Sequence, residues 1–157
     1  MIKKEFKYKY TNLLENKINN LEENNKLYLF KQVKLSLDEE FYLTNEDLNI
    51  RQCFTKLRIS DHNLEIERGR YYKIPRQERL CKICNVIENE EHFVLHCKIN
   101  KKIRDDLFKT LENENEKFKN MDNDKKLVYL LNPTSYKHVK IIGSYLKRSL
   151  ELRTEVS

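Results

Sequence analysis

A chain of 157 residues has room for one core, and 39 % hydrophobic and 36 % charged residues with only two glycines and two prolines suit helices with solvated faces, not a turn-rich β-sandwich. The net charge of +6 is concentrated: residues 51–104 hold 13 Lys/Arg against 7 Asp/Glu, and seven of the nine arginines, so a polyanion site, if this basic face has a partner, is central. No apolar run approaches the ~20 residues that span a bilayer, and the basic N-terminus leads into no apolar leader; the reading is an intracellular protein, nuclear or cytoplasmic, with no membrane partner.

In chain order, Ile2, Phe6, Tyr10, Leu13, Leu14, Ile18 and Leu21 recur at three- and four-residue steps and predict an amphipathic helix over 2–24. Leu27, Phe30 and Val33 predict a short helix over 26–34, followed by a turn at Ser36 and a helical piece through Phe41 to Leu43. Asn45 reads as the N-cap of a helix over 46–57 that turns Cys53, Phe54 and Leu57 inward. Periodicity stops at Ser60. The stretch from Ser60 to Leu80, with Gly69 and Pro75 and no helical stripe, is expected to be extended or looped. Ile103, Leu107, Phe108 and Leu111 mark a helix after Asn100, running into a polar segment over 112–123 that is expected to fray. Two closing helices follow, one over 124–131 and one opening at Asn132-Pro133 and burying Val139, Ile142, Tyr145, Leu146 and Leu150. The expected architecture is mainly α: a single domain over 1–157, in which a helical bundle (1–58 and 99–157) carries an inserted basic loop and small zinc-knuckle hairpin or loop (59–98).

The densest chemistry lies in Cys81-Lys-Ile-Cys84 and His92-Phe-Val-Leu-His-Cys97, a C-x2-C-x7-H-x4-C pattern. Two cysteines separated by two residues aim both sulfurs at one point, and the second pair, returning after a short loop, completes a tetrahedron. Three soft sulfurs and one nitrogen suit Zn2+. Four protein ligands close the shell and leave no position to activate water, so the ion is expected to be structural, with an apparent binding energy of about 10 kcal/mol or more. Reduced core cysteines or an oxidised pair are the competing readings. His96 competes with His92 for the nitrogen position, but His96 adjoins Cys97, and one short turn does not easily aim neighbouring side chains at one ion. Cys53, alone in an apolar stripe, reads as a core residue.

Arg58, Arg68, Arg70, Lys73, Arg76, Arg79 and Lys82 lead into this cluster, with Tyr71 and Tyr72 interleaved. Basic groups neutralise phosphates while a tyrosine face stacks on an unpaired base; the competing reading packs both tyrosines on the metal loop.

The runs Leu57-Arg-Ile-Ser-Asp-His-Asn-Leu-Glu-Ile-Glu-Arg-Gly-Arg-Tyr71, Ile74-Pro-Arg-Gln-Glu-Arg-Leu-Cys81-Lys-Ile-Cys84 and Glu90-Glu-His92-Phe-Val-Leu-His-Cys97 resemble the C-terminal zinc-binding region of non-LTR (LINE-type) retrotransposon reverse transcriptases. Lys26 to Leu43 and Leu127 to Arg153 are similar to the flanking helices there. The resemblance implies zinc ligation by Cys81, Cys84, His92 and Cys97, a grip on template RNA or target DNA, and a polymerase body as a further partner. The family's polymerase and endonuclease have no counterpart in these residues, which reads as a fragment, a relic or a recruited tail.

Catalysis is not expected. Asp105-Asp106 lies at helical periodicity with no palm around it. Two glycines exclude a phosphate-cradling loop, no small-molecule substrate is implied, and Cys53 lacks a catalytic partner. A ββα-metal nuclease of the His-Asn-His type is echoed by Asp61-His62-Asn63 ahead of Cys81, but its second cysteine pair and final helix-borne ligand are missing. The expected function is a zinc-stabilised nucleic-acid-binding module. The alternative is a zinc-stabilised protein-interaction scaffold.

Overall fold

The computed structural model describes residues 2–22, 25–34 and 39–156, with side chains from residue 11 onward. Helices α1 (Ile2–Asn19), α2 (Tyr28–Val33) and α3 (Leu48–Arg58) come first, and α4 (Glu65–Tyr71) precedes the cysteine segment. Then follow α5 (Lys101–Glu114), α6 (Glu116–Lys119), α7 (Asn123–Leu131) and α8 (Tyr136–Glu155). The fold is mainly helical, as composition predicts; among the described residues the only β pairing is one antiparallel bridge between Leu80 and Ile87. The side chains of Ile2, Phe6 and Tyr10 and the turn expected at Ser36 lie outside the described residues.

The centre of the molecule is the packing of α3 on α8. Ile50, Cys53, Phe54 and Leu57 form the buried stripe of α3; Val139, Ile142, Tyr145 and Leu146 form that of α8. Gly143 makes the close approach possible, because a Cβ there would collide with Ile50 and come within 3.3 Å of Phe54. Leu29 and Val33 of α2, Leu107 and Leu111 of α5, and Leu127, Leu130 and Leu131 of α7 complete one apolar cluster with Phe93, Val94 and Leu95 from the cysteine segment.

Several boundaries differ from the sequence expectation for identifiable reasons. The cap of α3 is Asp47, whose Oδ1 accepts from the N–H groups of Asn49 at 2.8 Å and Ile50 at 3.4 Å, while Asn45 accepts from Asp47 N–H at 2.8 Å, before the helix begins. Helix α8 opens at Tyr136 with Ser135 as its cap, Ser135 Oγ accepting from His138 N–H at 3.2 Å, rather than at Asn132-Pro133. The polar segment contains α6, capped by Asn115 and anchored by the fully buried Phe118, which meets Phe108 and Tyr129 at ring distances of 5.2 Å each.

The stretch after Ser60 is not all loop, since it contains α4. Helix α3 stops where expected: Ser60 takes a left-handed backbone (φ 53°), and Asp61 N–H bonds Lys56 C=O at 2.7 Å. The N-terminus of α4 is then capped from a distance. Glu88 Oε2 accepts from Glu65 N–H at 2.8 Å, and its carbonyl from Ile66 N–H at 3.1 Å. A seven-residue helix containing Gly69 is weak by propensity and depends on this outside support.

Candidate metal centre and basic face

Cys81 and Cys84 are placed by a tight turn. Asn85 N–H bonds Cys81 C=O at 2.8 Å, and Cys81 N–H bonds Val86 C=O at 2.8 Å. Asn85 takes a left-handed backbone (φ 56°), which asparagine tolerates better than most residues. The second pair comes from a wide π-helical turn over His92–His96, begun by His92 N–H on Asn89 Oδ1 at 2.8 Å and closed by Cys97 N–H on His92 C=O at 2.7 Å. Arg104, on α5, donates to Cys97 C=O at 2.8 Å, and Asn100 donates to Phe93 C=O at 2.9 Å, so buried polar groups fix the turn from behind.

Ligand atoms of Cys81, Cys84, His92 and Cys97 all lie within 4.8 Å of one another, and among the described residues no other His, Cys, Asp or Glu group gathers in this way. The Cys97 sulfur is 3.8 Å from that of Cys81 and 3.9 Å from that of Cys84. Ligands about 2.3 Å from a common centre at tetrahedral angles put sulfurs about 3.8 Å apart, whereas a disulfide requires about 2.05 Å. The cysteines are free thiols spaced to share an ion. His92 Nε2 is buried with no hydrogen-bond partner, an orphaned polar atom beside three sulfurs. Lys98 N–H donates to Cys84 Sγ at 3.3 Å, an interaction a thiolate accepts best. These residues can hold a metal ion.

The electrostatics agree. Burial, reinforced by the adjoining Cys81 and Cys84 sulfurs, pushes the Cys97 thiol up to about 12, so in the absence of a cation it keeps its proton. Burial lowers the pKa of His92 against the opposing pull of Glu88, which favours the neutral, ligating imidazole. His96 is not part of the cluster: it is exposed, 3.1 Å from Asn123 Nδ2 and 3.5 Å from Glu91.

The basic residues separate into two groups. Arg58 is 1 % exposed; it donates to Leu131 C=O at 2.9 Å and to Glu40 at 2.6 Å, with its guanidinium over the Tyr42 ring. It braces α3 against α7 and cannot reach a phosphate, which corrects its place among the surface residues. Arg79 lies against Gly69 and donates to Ile74 C=O at 2.9 Å and Ile66 C=O at 3.0 Å, so it too is held as a brace. Arg68, Arg70, Tyr71 and Lys82 line one open depression of about 1210 Å³, while Lys73 and Arg76 are exposed outside its lining. Arg68 and Arg70 carry i,i+3 pairs with Glu65 and Glu67. Sequence reasoning missed Lys26 and Lys56, which line the same depression; the only signal for Lys56 is that it stands off the apolar stripe of α3.

His62 lies in the wall of that depression with both ring nitrogens engaged: Nε2 is 2.9 Å from Glu90 and Nδ1 accepts a long bond (3.4 Å) from Leu64 N–H. Ser60 Oγ donates to the same Glu90 oxygen at 2.5 Å. An imidazole held in this way joins two loops and has no open lone pair to activate water. Asp105 pairs with Lys101 on the surface of α5.

No protein-family model, curated protein or solved structure matches the chain.

Proposed function

We propose that the chain is a zinc-stabilised nucleic-acid-binding module without catalytic activity of its own, similar to the C-terminal region of a non-LTR retrotransposon reverse transcriptase. The observation that carries the reading is the convergence of the Cys81, Cys84, His92 and Cys97 ligand atoms within 4.8 Å. Three sulfurs at tetrahedral spacing select zinc over harder ions, and a closed shell makes it structural. The ion would lock the segment over 81–97, and with it Glu88, the outside cap of α4. Helix α4, the turn after it and the cysteine turn then present Arg68, Arg70, Tyr71, Lys73, Arg76 and Lys82 to RNA or DNA. The reduced thiols fit an intracellular setting, in nucleus or cytoplasm.

The test is elemental analysis of purified protein combined with RNA and DNA titrations at two salt concentrations. One zinc per chain is expected, with log K falling against log salt with a slope of about −3 for four phosphates on a single strand. Zinc with no nucleic-acid binding at either salt contradicts the reading.

A protein-interaction scaffold, with a polymerase body among its partners, is the second reading. It is favoured by Leu13 of α1, Phe41 and Leu43 of the 3-10 turn over Phe41–Thr44, and Leu48 of α3, all exposed.

A further inference from the structure

The depression beside α4 is built from parts distant in sequence: Lys26 ahead of α2, Lys56 on α3, Arg68 and Tyr71 on α4, Lys82 in the cysteine turn, and the last turns of α8. Apart from Arg153, which is held by Glu88, its lining sets five cationic side chains against two carboxylates, Asp61 and Glu67. Lys26, Lys56 and Lys82 are exposed and carry no ion pair among the described residues. Tyr71 and Tyr72 are 81 % and 65 % exposed and meet edge to face, with centroids 5.1 Å apart and planes at 89°. An edge-to-face pair leaves one ring with both faces open, and neither ring is covered by the core.

We infer that this depression is the track of an unpaired polynucleotide strand: Lys26 and Lys56 extend the phosphate path begun by Lys82 and Arg68, and the Tyr71–Tyr72 pair stacks on its bases. The inference rests on the nucleic-acid reading above and narrows its partner. In a duplex each base face is already covered by its neighbours, so exposed tyrosines gain nothing from it, whereas an unpaired strand offers free faces. Cations set in a concavity follow a flexible backbone better than a rigid rod. RNA and DNA share this chemistry.

The experiment is fluorescence anisotropy with the zinc-loaded full chain and labelled oligonucleotides of about 15 nucleotides, as single-stranded RNA, single-stranded DNA and blunt duplex of the same sequence. Single strands should bind about tenfold tighter than duplex; the tighter of the two single strands identifies the natural source. Lys26→Ala with Lys56→Ala should weaken binding and flatten the salt slope by about 1 to 2. Tyr71→Ala with Tyr72→Ala should abolish the single-strand preference, and Tyr71→Phe with Tyr72→Phe should retain it. Equal or tighter duplex binding, or a preference insensitive to the alanine pair, overturns this inference and leaves the broader reading standing. Failure to bind any of the three overturns both.

Discussion

Glu88 and Arg153, 65 residues apart in the chain, meet in a two-pronged ion pair: Arg153 Nε bonds Oε1 at 2.6 Å and Nη2 bonds Oε2 at 2.9 Å. The Glu88 side chain is fully buried and that of Arg153 nearly so. Because Glu88 also caps α4, this one carboxylate ties the cysteine segment, the basic helix and the C-terminal helix together.

Breaking that pair leaves a buried charge uncompensated. Arg153→Ala is expected to cost about 3 to 5 kcal/mol, whereas Arg68→Ala, which removes a solvent-screened pair, should cost about 0.5 kcal/mol or less. Urea denaturation of the two variants checks the contrast; equal losses would mean that the buried pair is not a brace.

Gly143→Ala sets two effects against each other. Helix propensity favours alanine by about 1 kcal/mol, but the added Cβ collides with Ile50, and overpacking of this kind costs about 1 to 3 kcal/mol. Since the obstacle is a buried branched side chain, the steric effect wins. A lower thermal midpoint is expected; a higher one would show that α3 and α8 can separate at little cost.

What could be read in advance follows from how local each cause is. The Cys/His cluster that could hold a metal ion is readable because Cys81, Cys84, His92 and Cys97 fall within 17 residues. The stripe of α3 is readable for the same reason. Helix α4 was not, because its cap comes from Glu88, 23 residues later. Arg58 read as a surface cation because nothing near it in sequence announces the Leu131 carbonyl, 73 residues away, that takes it into the interior. Lys26 and Lys56 join the basic face only through tertiary packing.

Metal-free and metal-bound protein should respond to pH with opposite signs. Folding raises the Cys97 thiol to about 12, above the ordinary value of about 8.5. Without metal, the unfolded chain therefore loses this proton first, and stability present below about 8.5 is lost as pH rises toward 12. With metal, the thiol must release its proton to bind, so affinity falls as pH falls and the bound form loosens in acid. Thermal melts across pH, with and without chelator, check both signs.

The central claim is most directly tested by native mass spectrometry of the purified chain and two histidine variants. One zinc ion per chain is predicted, retained in His96→Ala and lost in His92→Ala. A chain without metal, or zinc lost from His96→Ala and kept in His92→Ala, would contradict the account.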